Sequence, residues 1–237
     1  MVKCKNDQRW NSDLLLNHKS KHMNKNTIAA SCMVCFLLAI GLTVGCYAQT
    51  KETSSPKRDT LVIPKLTFDA QGELEITPSS TSSKHDFDFF VGKWRLRNRI
   101  LKKKPNTADE WVEFESTQEM HLVLNGLGNV DNFLAVRDGK PFEGMTVRLF
   151  NPETRLWSIY WADSNFGVLG LPPVVGSFKN KVGHFFSKSP YNGKDLITVY
   201  RWDARDADHP VWSQTFSEDN GQTWKEWNWT MYMTKVK

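Results

Sequence analysis

The sequence predicts an all-β domain of about ten short antiparallel strands over residues 84–237. Three observations carry that expectation: apolar and polar residues alternate with period two from Trp94 onward, β-branched and aromatic residues are enriched, and turn signals recur at short intervals. No amphipathic helix of ordinary length interrupts them. A barrel closed on itself suits so many short strands because closure removes exposed edges, and a β-sandwich is the alternative.

Ahead of that domain, residues 1–48 fit no fold, since a polar basic stretch runs straight into an apolar one from Ile28 to Tyr47. Lys19, Lys21 and Lys25 flank the apolar run on its N-terminal side only, which is the asymmetry of a secretory signal, and Met23 is a plausible start. Cleavage after Ala48 fits a small-x-small site and leaves Gln49 first. Lipidation at Cys46 is the rival, because Val44-Gly45-Cys46 ends as lipoprotein signals do, although Thr43 stands where leucine is usual. A retained span is the third reading, the apolar run being about 20 residues long. The expectation is an exported protein, periplasmic or extracellular, with Cys46 as a candidate lipid anchor and no membrane span left after cleavage.

All four cysteines (Cys4, Cys32, Cys35, Cys46) precede the expected cut, so the mature chain has no disulfide, thiolate metal site or cysteine nucleophile. Of the formal net charge of +5, the signal segment carries +4, leaving the mature chain near +1. That balance speaks against a nucleic-acid partner. Residues 49–83 read as a linker, with Lys51 to Arg58 and Thr77 to Ser83 rich in Ser, Thr, Pro and charge. Between them the apolar stretch 61–68 can clip onto the domain as an edge strand.

Strands are expected at 92–102, 111–123, 128–136, 143–150, 156–163, 174–179, 182–188, 195–203, 211–217 and 226–235. Asp138-Gly139-Lys140, Asn151-Pro152-Glu153-Thr154 and Asn192-Gly193-Lys194 supply the backbone conformations that hairpins require. Before the first strand, Phe87, Phe89 and Phe90 form an apolar cluster suited to plugging one barrel end, and Gly92 permits a tight turn into the strand that carries Trp94.

The run Phe87-Asp88-Phe89-Phe90-Val91-Gly92-Lys93-Trp94 is similar to the start of calycin-superfamily barrels, where a Gly-x-Trp follows aromatics. It is joined in order by Gly126 to Asp131, by Arg148 to Trp161 and by Trp212 to Ser217. Together these resemble an uncharacterised bacterial family of exported lipocalin-like domains, over about 84–237. The resemblance implies a lipocalin-like antiparallel β-barrel with an internal cavity for a small, largely apolar molecule. It implies no catalytic residues, and an equivalent of Trp94 packs across the closed end of such barrels.

Nine of the ten tryptophans follow Lys84, more than a core this size needs for volume, and an indole N–H wants a partner when buried. Trp157, Ile159, Trp161 and Asp163 share one strand face, and so do Trp227, Trp229, Met231 and Met233, lining either a packed core or a pocket. Among the polar residues, Arg148 stands between Thr146 and Phe150, Arg201 alternates with Val199 and Ile197, and Gln214 lies between Trp212 and Phe216. A charge pointing into a barrel must be paired, so one or more of these is expected to orient a ligand, with Asn129 and Asp131 as acceptors at the mouth. The candidate ligand-binding set is therefore Asn129, Asp131, Arg148, Trp157, Trp161, Asp163, Arg201, Gln214 and Trp229. A plain salt bridge from either arginine to Asp131 or Asp163 is the competing reading.

Ser217 to Trp224 matches the Asp-box of sialidase-type propellers, but a single copy reads as a braced hairpin. His85, His121, His184 and His209 lack metal-ligand spacing, and a lone His121 or His184 is the only route to haem, so no cofactor is expected. The leading expectation is a binding barrel for a small hydrophobic or aromatic molecule. An enzyme with Asp131 or Asp163 as base and Arg148 stabilising charge is a second reading. A surface adhesion module using Trp224 and Trp227 as an exposed flat patch is a third.

Overall fold

The computed structural model describes residues 61–102, 109–191 and 193–237. The expected signal, the start at Met23, the cut after Ala48, the anchor Cys46 and the turn residue Asn192 lie outside the described residues. A small hairpin comes first, β1 (Thr67–Phe68) and β2 (Leu74–Glu75). The barrel strands follow: β3 (Gly92–Lys102), β4 (Glu110–Val123), β5 (Gly128–Arg137), β6 (Lys140–Asn151), β7 (Leu156–Asp163), β8 (Val174–Lys179), β9 (Val182–Tyr191), β10 (Lys194–Asp203), β11 (Val211–Ser217) and β12 (Trp229–Lys235). Each pairs antiparallel with the next in the chain, and β12 returns to β3, so the ten strands form a closed barrel.

Alternation decides which side chains point inward. Along β3, Trp94, Leu96, Asn98 and Ile100 are buried while Lys93 and Arg95 are exposed. The outward cations of β3 face carboxylates of β4 across the ladder, with Lys93 opposite Glu119 and Arg99 opposite Glu113. Turn chemistry sets the hairpins: Asp138 (φ 50°) and Gly139 (φ 74°) make the two-residue connection between β5 and β6. Asn151 Oδ1 accepts from the backbone N–H of Glu153 at 2.9 Å and of Thr154 at 3.2 Å, bracing the next turn.

One end of the barrel is plugged. A 3₁₀ turn, Asp88–Phe90, drives Phe87 and Phe90 into the interior. Phe87 meets the Trp157, Phe178 and Trp202 rings edge-on, with centroids 5.0, 5.0 and 5.7 Å away. Gly92, at φ 103°, turns the chain into β3, and Trp94 there donates its indole N–H to the Phe90 carbonyl at 2.8 Å.

Residues 61–83, part of the stretch expected as a linker, lie against the barrel. Ile63, Leu66, Phe68, Leu74 and Ile76 pack with Phe186 of β9, Ile197 and Val199 of β10, and Trp227, in a second apolar cluster outside the barrel. The strap adds no strand to the barrel sheet, because β1 pairs only with β2. Its end is fixed by Arg155, whose guanidinium donates to the Ser80 and Ser82 carbonyls at 2.7 and 2.8 Å.

The last strand begins later than expected. Residues 225–228 run irregularly beside β11, where the Thr215 hydroxyl donates to the Lys225 and Glu226 carbonyls at 2.8 and 2.9 Å. Trp227 consequently leaves the inward row of Trp229, Met231 and Met233 and joins the outer cluster. Trp224 packs beside it against Phe186, so the two tryptophans do not form an exposed flat patch. The Asp-box braces its turn: Asp219 Oδ1 accepts from the Ser217 hydroxyl at 2.7 Å and from the Thr223 N–H at 2.9 Å. The Thr223 hydroxyl, which donates to Asp219 Oδ2 at 2.5 Å, does most to hold the Asp219 carboxyl down at about 2, and the two Oδ1 bonds add to it.

Candidate functional site

Most of the barrel interior is filled by its own rings, and what remains is a cavity of about 50 Å³. Aromatic walls come from Phe133, Trp161, Tyr200, Trp202, Trp212 and Trp229, while Gln118, Thr146, Arg148 and Gln214 supply the polar lining. A cavity able to take benzene measures about 150 Å³, so the closed form holds a few waters or a molecule of a few atoms. Trp161 and Tyr200 are the lining residues that keep partial exposure.

Arg148 is the chemical centre of this space. Inward alternation on β6 buries it to 3 % exposure, and the neighbouring strand β5 presents Asp131 and Asn129 directly to it. Its Nη1 donates to Asp131 Oδ2 in a short ion pair and to Asn129 Oδ1 at 2.9 Å. The guanidinium carbon also lies 5.1 Å from the Phe87 ring centre and 5.5 Å from those of Phe90 and Trp202, so the aromatic plug forms part of its setting. The other oxygen of Asp131 accepts from Gln118 Nε2 at 2.6 Å. Both carboxylate oxygens are therefore engaged, and Asp131 positions Arg148 and Gln118 instead of facing a guest as a base. Three buried polar atoms around this group lack a hydrogen-bond partner: Gln118 Oε1, Asn129 Nδ2 and Arg148 Nε. Orphaned atoms of this kind mark a place where water or a ligand completes the bonding.

The barrel wall is weakest beside Trp161. β7 and β8 pair only through Trp157–Gly176, Ser158–Val175 and Ile159–Val174, and β8 reaches β9 only as far as Phe186. Beyond those pairs the loop 164–173 closes the side of the barrel. Asp163 organises its root, accepting from the Trp161 indole N–H at 3.1 Å and from the Asn165 N–H at 2.9 Å, while Gly170 N–H donates to the Trp161 carbonyl at 2.7 Å. The loop exposes Phe166, Val168, Leu169 and Leu171. At the same end, the Arg137 guanidinium stacks over Phe142 and Phe114 at 4.9 and 5.6 Å, where burial pulls its pKa below the usual arginine value.

Of the residues singled out from sequence, Arg148, Trp161, Gln214 and Trp229 line the cavity, and Asn129 and Asp131 stand behind Arg148. Asn129 and Asp131 do not lie at the open mouth: they begin β5 at the plugged end. Asp163 acts on Trp161 and the loop. Trp157 belongs to the plug, its indole N–H donating to the Ser83 carbonyl at 3.2 Å. Arg201 is on the outer face, where it pairs with Asp203 at 2.7 Å beside the strap, because the apolar residues it alternates with, Val199 and Ile197, are themselves outward and covered. The two histidines considered for haem also lie outside: His121 is exposed, and His184 meets the Val62 carbonyl at 3.2 Å.

Sequence reasoning passed over Gln118, Thr146, Tyr200, Trp202 and Trp212. Gln118 had a usable signal, since it alternates with Ser116 and Met120 on one face of β4 while Glu115 and Glu119 occupy the other. Among the described residues no three His, Cys, Asp or Glu side chains gather as a metal-binding set, and no helix is long and apolar enough to cross a membrane. No protein-family model and no curated protein matches the chain.

Proposed function

We propose that this chain is an exported small-molecule-binding barrel of lipocalin-like type, whose guest sits among Trp161, Trp212 and Trp229 with a polar end toward Gln118 and Arg148. One observation carries the reading: buried polar atoms of Gln118 and Arg148 lack partners in residues that line an aromatic-walled cavity. A protein interior that served packing alone would satisfy or omit such groups, since each unpaired buried polar atom costs about 1–3 kcal/mol. Access runs past Trp161, where the wall is held by a loop and not by a continuous ladder. A ring-sized apolar guest needs Trp161 to swing outward, which enlarges the cavity toward the loop 164–173.

Native mass spectrometry on the purified full-length protein, after incubation with a cell extract, tests the reading. The expected result is one retained small molecule that is lost in Trp161→Ala or Gln214→Leu. A protein that retains nothing, and whose tryptophan emission is unchanged by the extract, would overturn it.

A further inference from the structure

Resting on the binding reading above, we infer that the cavity selects an uncharged head group that carries both a hydrogen-bond donor and an acceptor, as in an amide, lactam or urea. The two unpaired atoms on lining residues are of opposite kind: Gln118 Oε1 accepts and Arg148 Nε donates. Both belong to residues fixed on the same Asp131 carboxylate, Gln118 through Nε2 and Arg148 through Nη1, which leaves Oε1 and Nε for a guest. A guest that satisfies both must itself give one hydrogen and take one.

Charge excludes the nearest competitor. Asp131 already neutralises Arg148 at contact distance, with both side chains almost fully buried. A carboxylate guest would bring a second negative charge beside Asp131 in a dry interior and would leave Gln118 Oε1 facing another acceptor. A ketone or ether answers Arg148 Nε alone, and a hydrocarbon answers neither atom. An amide answers both without moving a charge out of water. Thr146 and Gln214 on the same lining add a hydroxyl and an amide, next to Trp161 and Trp229 in the strand register.

The test uses acetamide, acetate and acetone, which share a shape and a number of heavy atoms, titrated into the full-length 15N-labelled protein. The indole N–H resonances of Trp161 and Trp212 report on the cavity, while those of Trp94 and Trp157 in the plug serve as controls. Acetamide is expected to shift the first pair in the millimolar range, about tenfold or more tighter than acetone or acetate, the factor for one buried hydrogen bond. Gln118→Leu is expected to bring acetamide down to the level of acetone. Equal affinity for acetone or acetate overturns this inference and leaves the binding reading standing. No shift with any of the three overturns it as well, since the cavity then holds water only, and the retained-ligand measurement judges the wider reading separately. If Gln118→Leu does not fold, the ligand series on the unaltered protein decides.

Discussion

Removing the Arg148 guanidinium strands Asp131, a carboxyl with 1 % exposure, and leaves it no cation. Arg148→Met is therefore expected to lower stability by about 3–5 kcal/mol, read as a fall in the urea midpoint. The pair Arg148→Met with Asp131→Leu should recover most of that loss, because burial of an unpaired charge is then avoided. A second residue-scale expectation concerns His184, whose imidazole is pushed down from 6.5 to about 4 by burial beneath the strap. The unfolded chain takes up this proton near pH 6.5 and the folded protein only near pH 4. Stability is thus complete above pH 6.5 and falls as the pH drops through that window. Urea midpoints at pH 7 and pH 4.5 should show this drop, and His184→Gln should flatten it. Alternation made Arg148 legible as an inward charge, yet the same signal misled at Arg201. Period two tells which residues share a face but not which face is interior, and on β10 both faces are apolar because the strap covers the outer one.

At the scale of elements, β3, β7, β8 and β11 have the bounds expected from sequence, while the hairpin strands β6 and β9 each run three residues further toward their turns than expected, because ladder pairing continues beyond the alternating apolar run. β12 is shorter than expected instead, since Trp227 and Trp229 keep the alternating pattern straight through a segment that the Thr215 hydroxyl bends out of the sheet. Close approach between strands also escaped the sequence reading. A Cβ on Gly176 would collide with the His184 carbonyl oxygen and the Phe185 backbone, neither of which can yield without shifting the β8–β9 ladder. At Gly144 the obstacle is only the Trp161 ring. Gly176→Ala is expected to destabilise by about 1–3 kcal/mol in chemical denaturation. Gly144→Ala should lose less, because the ring can turn aside, and should change the tryptophan emission instead. Equal losses in the two variants would show that the short β8 seam is more pliable than its pairing implies.

For the molecule as a whole, closure depends on a single long-range seam. Residues 94–100 of β3 pair with residues 229–235 of β12, so the first and last barrel strands meet only when the chain is complete. Deleting residues 229–237 is expected to leave the edges of β3 and β11 unpaired and to shift the product from the soluble fraction into aggregates, as seen by size-exclusion chromatography. The number of strands and the all-β class were legible because they follow from local patterning. The cavity volume was not, since it depends on how far the plug residues Phe87 and Phe90 intrude and on ring packing that no period encodes. The β3–β12 seam also sets a timetable for biosynthesis. A ribosome that has made all but the final strand has released a sheet with two raw margins, and nothing local can seal them. Until the C-terminal strand emerges, the nascent polypeptide must be kept from its neighbours by a chaperone or by the speed of translation itself.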